Sequence, residues 1–309
     1  MTPPIVRAVG VTKKWGSTTA LTGASFEIGK GITGLLGSNG AGKTTLLGLM
    51  LGMHRPDGGT LEVLGRDPWT LGPEVRARVG YAPEHDALPE DVRAHDCVRH
   101  FAEVHGLPRR EAQTRASDAL WEVGLGEERF RAVGTMSTGQ RQRVKLALAI
   151  AHDPEVVLLD EPTNGLDPVQ REQMLALIRR VGHDLGLDVI LSSHLLDEVE
   201  RVSDSVVIID GGRTVRSGSL TELRGVDRAE LLVELAGASA AGDGEALVAS
   251  LAERGVASVV DGALVVVALE GDIVYDVVRD TLADLDLSVR RLERRTASLE
   301  DVFLAGNPS

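Results

Sequence analysis

A chain of 309 residues that is 43% hydrophobic can bury a real core, and its length suits about two domains. Its formal net charge of −13 argues against a nucleic-acid groove that works by neutralising phosphates. Met1–Gly10 lacks the apolar core of a signal peptide, no apolar run approaches the ~20 residues that span a bilayer, and the single Cys97 excludes an internal disulfide. A soluble, cytoplasmic chain is expected. Short strands are expected at Val6–Val11 and Ala24–Ile28, with Trp15 and Gly16 in the loop between them. The apolar run Ile32–Leu36 precedes a glycine-rich loop and a helix-prone run, Leu46–Leu51. Gly58 and Gly59 mark a turn before a strand at Thr60–Leu64, and Pro83 stops another at Val79–Ala82. From about 86 to 132 the pattern turns helical and polar, with Val98, Phe101 and Val104 at helical spacing. Ser137 opens a helix over Gly139–Ala151 that Pro154 ends.

Val156–Leu159, Val189–Leu191 and Val206–Ile209 read as buried strands separated by helices, so a parallel sheet is expected. Gly211 and Gly212 turn the last of these into a hairpin with Arg213–Ser217. After about Arg224 the composition shifts towards Ala, Gly and Val. There, strand-like Leu231–Leu235, Ala257–Ala268 and Ser288–Leu292 alternate with helical Glu245–Glu253 and Ile273–Leu285, an order that suits a small split-βαβ domain.

The chemistry lies in the first 220 or so residues. Residues 37–45 read Gly37-Ser38-Asn39-Gly40-Ala41-Gly42-Lys43-Thr44-Thr45, the GxxxxGK[ST] phosphate-binding pattern between a strand and a helix. Its glycines let backbone N–H groups turn inward around phosphate oxygens, and the helix that follows adds the positive end of its dipole. Lys43 is then the cation on the β- and γ-phosphates and Thr44 a Mg²⁺ ligand. The bland alternative, a glycine-rich turn before a helix, does not require both flanking elements.

Val156-Val157-Leu158-Leu159-Asp160-Glu161 is a buried strand that delivers two carboxylates at its C-terminal end, where open α/β sheets bind ligands. Asp160 would hold Mg²⁺ through its water shell, and Glu161 is placed to polarise the water that attacks the γ-phosphate. Alone, this acidic strand end would as readily cap the next helix. The phosphate loop upstream tips the reading towards chemistry.

Just before that strand stands Met136-Ser137-Thr138-Gly139-Gln140-Arg141-Gln142-Arg143, which resembles the LSGGQ signature of ATP-binding-cassette (ABC) ATPases. Gly165-Leu166-Asp167 resembles the family's D-loop, and Ser192-Ser193-His194 its switch histidine after a strand. Trp15 stands where the family has an aromatic that stacks on adenine. The resemblance implies an α/β P-loop NTPase cassette over 4–222, a mixed sheet with a helical subdomain at about 86–152. A small α+β, ferredoxin-like accessory or regulatory domain would follow over 226–305. It also implies ATP and Mg²⁺ as cofactors and Glu161, His194 and Lys43 as the catalytic groups. Signature residues Ser137, Thr138, Gly139 and Gln140, with Asp167, would act on the ATP of the opposite subunit of a homodimer. Two ATP molecules would then join two cassettes until hydrolysis opens them.

Two positions depart from the family pattern. Glu84, in Tyr81-Ala82-Pro83-Glu84, replaces the usual Gln near Mg²⁺ and water, adding a charge that only the metal makes tolerable. Thr138 replaces the first Gly of the signature pair, and a β-branched residue there must keep an ordinary φ. Of the eight histidines, His85, His95, His100 and His105 fall near Cys97. Positions five apart lie about 140° apart around a helix, so a solvated helix is expected there and not a metal site. Arg109–Arg131 reads likewise as a solvated helix face.

Residues 92–107 and the tail Ser298–Leu304 look like those of multidrug, antibiotic and lipid or polysaccharide (ABC-2 type) export ATPases. The resemblance therefore implies the ATPase subunit of an exporter, whose integral-membrane permease is a separate polypeptide at the inner face of the cell membrane. Membrane contact would come only through that permease. The alternatives are an importer subunit, or a soluble cassette acting on ribosomes or DNA. Such soluble proteins typically carry two cassettes or a long coiled coil between the nucleotide motifs, whereas only about 116 residues separate Lys43 from Asp160. No nucleic-acid partner is expected.

Overall fold

The computed structural model describes residues 3–85, 88–223, 229–236, 240–269, 271 and 273–296. The expected export-type tail at Ser298–Leu304, the composition break at Arg224 and the outer bounds 86, 226 and 305 lie outside the described residues. The chain divides into two compact units, Met1–Leu220 and Thr221–Ser309.

The first unit opens with an antiparallel sheet of β1 (Val6–Trp15), β2 (Thr18–Ile28) and β4 (Gly58–Val63), in the order β2-β1-β4. Trp15 is not in the loop as the sequence suggested. It ends β1 and pairs with Thr18, which leaves Gly16 and Ser17 as the turn. Gly16, at φ 60°, supplies the left-handed residue that so tight a connection needs.

A six-stranded sheet forms the centre, ordered β5-β6-β7-β3-β8-β9. Its strands are β3 (Ile32–Leu36), β5 (Val79–Ala82), β6 (Val156–Asp160), β7 (Asp188–Ser193), β8 (Ser205–Asp210) and β9 (Arg213–Ser219). All neighbours run parallel except the β8–β9 hairpin. β3 and β6 are buried along their whole length, which is why they read as unbroken apolar runs. Alternation still sorts the side chains. Val157 and Leu159 join one apolar cluster, while Val156 and Leu158 join the other with β1, β2 and β4. Leu158 is fully buried, and Leu158→Ala would cost roughly 2–5 kcal/mol.

The helices of this unit are α1 (Lys43–Met50), α2 (Gly72–Arg76), α3 (Ala94–Val104), α4 (Arg109–Glu122), α5 (Thr138–Ile150), α6 (Pro168–Arg179) and α7 (Leu196–Val202). Helices α3, α4 and α5 pack on one another and share the first cluster. The apolar stripe expected on α3 is misplaced. Ala94, Cys97, Val98 and Ala102 are buried, whereas Phe101 is 43% and Val104 68% exposed. At 100° per residue Val104 stands about 120° from Val98, so those two cannot share an inward face. Among the described residues no helix is long and apolar enough to cross a membrane. A helical turn, α8 (Leu220–Leu223), stands at the division.

The second unit has the order β10 (Ala229–Leu235), α9 (Ala240–Glu253), β11 (Ser258–Asp261), β12 (Leu264–Leu269), α10 (Ile273–Asp284) and β13 (Val289–Thr296). The expected single strand over 257–268 is a hairpin, β11 and β12, turned by Gly262 at φ 59°. The all-antiparallel order β11-β12-β10-β13 is the interleaving that two split βαβ units produce, the ferredoxin-like arrangement. Leu231, Val233, Val265 and Val267 meet Leu247, Leu251, Val278 and Leu282 in a core of its own.

Candidate nucleotide site

Strand β3 delivers the glycine-rich loop to the start of α1. Gly42 caps that helix at φ 107°, and a Cβ there would lie 2.6 Å from the Ala20 carbonyl oxygen. At Gly37 a Cβ would lie 2.4 Å from the Ile209 oxygen. Both positions need glycine for space, and Gly42 needs it for conformation as well. A cleft of about 460 Å³ opens over this loop, lined by Ala20, Ser38, Asn39, Gly40, Gly42, Lys43, Thr44, Thr45, Glu84, Glu161, Asn164 and His194. Gly37 and the buried Ala41 shape the loop from behind: Gly37 N–H donates to Ser193 O, and Ala41 N–H to Ser38 O.

Lys43, only 6% exposed, donates to Gly37 O at 2.7 Å and Ser38 O at 3.3 Å. Its Nζ also lies 3.2 Å from Glu161 Oε1, an ion pair that is not aligned as a hydrogen bond. His194 Nδ1 meets the other oxygen, Glu161 Oε2, at 2.9 Å. Glu161 thus sits between a lysine and a histidine, at φ 45°, one of few non-glycine residues in left-handed backbone. Such strain of roughly 1–3 kcal/mol persists where the surroundings over-determine it, commonly at functional sites.

Ser192 ties the two carboxylates together. Its Oγ accepts from Glu161 N–H at 2.9 Å and donates to Asp160 Oδ1 at 2.6 Å. Burial holds the Asp160 carboxyl above its usual range; the Ser192 and Thr44 hydroxyls pull it back, and the charges of Glu84 and Glu161 add to the rise. Asp160 Oδ2 is buried with no hydrogen-bond partner. A divalent cation fits that orphaned oxygen beside the Thr44 hydroxyl, since it would neutralise the acidic cluster and satisfy the oxygen at once. Glu84 reaches the cleft with Oε1 accepting from Asn164 Nδ2 at 3.0 Å. Tyr81, behind it, is pushed up to about 12 by burial and by Asp160 and Glu84.

Trp15 lies outside this lining and is 44% exposed. Its ring meets His54 edge-on at 4.7 Å, with Lys13 Nζ 4.8 Å from the ring centroid. Nor does the signature reach the cleft. Ser137, Gly139 and Gln140 line a separate cleft of about 410 Å³ with Leu166, Gln170 and Arg143. Ser137 caps α5 in a reciprocal box: Gln140 N–H donates to Ser137 Oγ at 3.2 Å and Ser137 N–H to Gln140 Oε1 at 3.1 Å. Thr138, the first residue of α5, is not among the positive-φ residues, so the β-branched replacement fits without backbone strain. Asp167 caps α6 through Oδ1, which accepts from Gln170 N–H at 2.8 Å.

Residues 21–164 match a family model described as ABC transporter. The Nod factor export ATP-binding protein I of Ralstonia nicotianae is 34% identical over 302 residues, 97% of this chain and 93% of that protein. The chain belongs to the ABC transporter ATPases. The methionine import ATP-binding protein MetN of Mesorhizobium japonicum is also 34% identical, over 239 residues, 76% of this chain and 66% of that protein. Among solved structures, cbiO1 of Clostridium perfringens, described as part of the ABC transporter complex cbiONQ, has a TM-score of 0.66 at 26% identity. The match covers 72% of this chain and 91% of that one. This cassette is an ATP-binding, ATP-hydrolysing transporter subunit with the expected mixed sheet.

Sequence reasoning missed several groups in the cassette. Asn164 and Ser192 bond the site carboxylates directly, and Lys145 donates to Pro83 O and Glu84 O at 2.9 Å each, holding the loop that carries Glu84. An apolar groove was missed too. It is lined by Leu51, Met53, Tyr81, Phe101, Leu148 and the stacked pair His105 and His152, whose rings lie 3.9 Å apart. Burial and the neighbouring His105 push His152 down to about 4. The other histidines near Cys97 take ordinary roles where described; His95, for instance, bonds Ser117 Oγ.

Proposed function

We propose that this cassette drives export through a separately encoded membrane permease, working as a homodimer at the inner face of the membrane. In this reading Lys43 and the N–H groups of residues 38–45 hold the ATP phosphates while Trp15 stacks on adenine. Glu161 takes the proton of the attacking water, and His194 keeps the carboxylate oriented. Thr44, Asp160 and Glu84 would hold Mg²⁺, which when bound supplies charge neutralisation at the phosphates.

The observation that carries the dimer is the separation of the two clefts. Among the described residues none lines both. One chain therefore holds two half-sites, and a second copy would complete each one. Exposed Phe101, which lines the apolar groove, and exposed Val104 one turn further along α3 support a permease contact there, since exposed apolar patches mark interaction surfaces.

Export is favoured over import by extent of likeness. The match to the export protein spans 97% of the chain, so it takes in most of the unit beginning at Thr221. The import protein matches 76%. The deciding experiment asks whether an adjacent reading frame encodes a polytopic membrane protein and co-expresses that protein with this chain. A complex of two cassettes with that protein supports the reading. A requirement for a solute-binding protein would favour import, and purification with ribosomes would favour the soluble alternative.

We assign the nucleotide cassette to 4–222 and an accessory domain to 226–305. Truncation after Leu223 should leave ATP binding within a few-fold while lowering dimerisation or permease association. Normal dimerisation, permease binding and transport by the truncated chain would remove the accessory role.

A further inference from the structure

Glu198, on α7, is the most fully buried carboxylate that the ATPase reading leaves unused. It is 0% exposed. A charge withdrawn from water to that degree must be matched by partners, or it would destabilise the fold by several kcal/mol. The partners come from three segments, each of which carries a site residue. Thr163 Oγ1 donates to Glu198 Oε2 at 2.9 Å, and Thr163 is two residues beyond Glu161. Ser193 Oγ donates to the same oxygen at 2.7 Å, and Ser193 directly precedes His194. Arg171 Nε lies 3.2 Å from Glu198 Oε1, on α6, one turn past Asp167. Ser193 Oγ also accepts from Leu195 N–H at 3.0 Å, so the backbone on both sides of His194 is tied to this carboxylate.

The apolar packing of β6, β7 and α6 would hold those elements without a buried charge. A merely structural carboxylate has no reason to collect hydrogen bonds from the segment after β6 and the end of β7 together with an ion pair, not aligned as a hydrogen bond, from α6. We infer that Glu198 is a positioning residue for ATP hydrolysis: one buried carboxylate sets the base loop, the switch-histidine turn and the D-loop helix in register. The contact it protects is the 2.9 Å pairing of Glu161 with His194. Displacing a catalytic group by about 1 Å from a distance can cost on the order of 100-fold in rate. Glu198 is 0% exposed and does not line the phosphate-loop cleft, so its effect would run through Glu161 and His194 and belong to turnover rather than to binding.

This inference rests on the roles proposed for Glu161 and His194, so the experiment tests those roles separately. Full-length Glu161→Gln, His194→Ala and Glu198→Gln proteins are compared for ATP affinity, KM, kcat and thermal unfolding, with single-turnover rates for the slow variants. The expected result for Glu198→Gln is ATP affinity within about threefold and kcat lowered roughly 10–100-fold. In a His194→Ala background the same change should lower the residual rate by less than about threefold, because both act on one contact.

Glu198→Asp keeps the charge but shortens its reach, and should restore only part of kcat. Should Glu198→Gln fail to fold, Thr163→Val removes one bond to Glu198, and Ser193→Ala removes the other together with the bond from Leu195 N–H; each should lower kcat in the same sense with KM unchanged. A loss confined to KM or to melting temperature would overturn the inference, as would equal losses of kcat with and without His194. Near-normal turnover in Glu161→Gln and His194→Ala would instead overturn the site assignment beneath it.

Discussion

The phosphate-loop cleft and the signature cleft handle charge in opposite ways. In the first, Lys43 and Glu161 are 6% and Asp160 1% exposed, so its ionised groups are held out of water and against one another. In the second, Ser137 presents an exposed neutral hydroxyl at the start of α5, beside the charged Arg143 and Glu128, where the helix dipole faces solvent. Buried charges act strongly on whatever enters, at the cost of desolvation. A helix N-terminus with a hydroxyl is instead a mild anion receptor. The difference supports the proposed division of labour, in which one cleft would perform the chemistry and the other would recognise a phosphate already bound and largely compensated elsewhere.

The sharpest way to break this contrast is Glu161→Gln. The amide keeps the shape but cannot take a proton, so turnover should fall roughly 10²–10⁴-fold while ATP still binds. An ATP-bound dimer should accumulate and elute early in gel filtration. Near-normal turnover would mean that the charged cleft does not supply the base. Lys43→Ala should act earlier in the cycle. Loss of a charge-assisted contact of about 1.5–3 kcal/mol raises the ATP dissociation constant roughly 10–100-fold, measurable by titration with a fluorescent nucleotide.

How much of this was legible in the chain follows from sequence distance. The phosphate loop, the Asp160–Glu161 strand end and the Ser137 cap are runs of adjacent residues, each with a local physical pattern. The Ser192 bridge to Asp160 spans 32 positions, Thr163 to Glu198 spans 35, and Asn164 to Glu84 spans 80. No periodicity announces such contacts, because the sheet order decides them. Strand β6 lies beside β7, and that alone brings Ser192 against Asp160. The α3 stripe failed for another reason: Phe101 and Val104 are apolar yet face outward, a departure from the amphipathic rule that at Phe101 coincides with the groove.

The recognition half of the contrast is tested by mixing subunits. A Lys43→Ala chain paired with a Gly139→Asp chain places both defects in one composite site and leaves the other site wild type. Mixed dimers should regain part of the activity that neither variant has alone. Gly139 also sits where a Cβ would lie 3.1 Å from the Gln170 side chain, so the Gly139→Asp protein must first be shown to fold. No recovery, with mixed dimers demonstrated and a control showing that one intact site turns over, would place the signature's action within its own chain.

The smallest effect concerns the cost of the charged cleft itself. Burial raises the Asp160 carboxyl above 3.8 in the folded protein. A carboxylate with a raised folded value binds its proton more tightly folded than unfolded, so its ionised form lowers stability above that value. The cost disappears as pH falls through it. Asp160→Asn removes the charge while its side-chain oxygen still accepts from Ser192. The variant should therefore melt higher than the parent at pH 7–8, where the parent carboxyl is ionised. That advantage should shrink as the pH is lowered towards the range where the parent carboxyl protonates. The same variant should lose the added thermal stability expected from Mg²⁺ with ATP in the parent, because an uncharged amide nitrogen would replace the orphaned Oδ2. A parent and variant that melt together at every pH would mean that the buried acidic pair costs nothing, and the two clefts would then differ in exposure without differing in electrostatic strain.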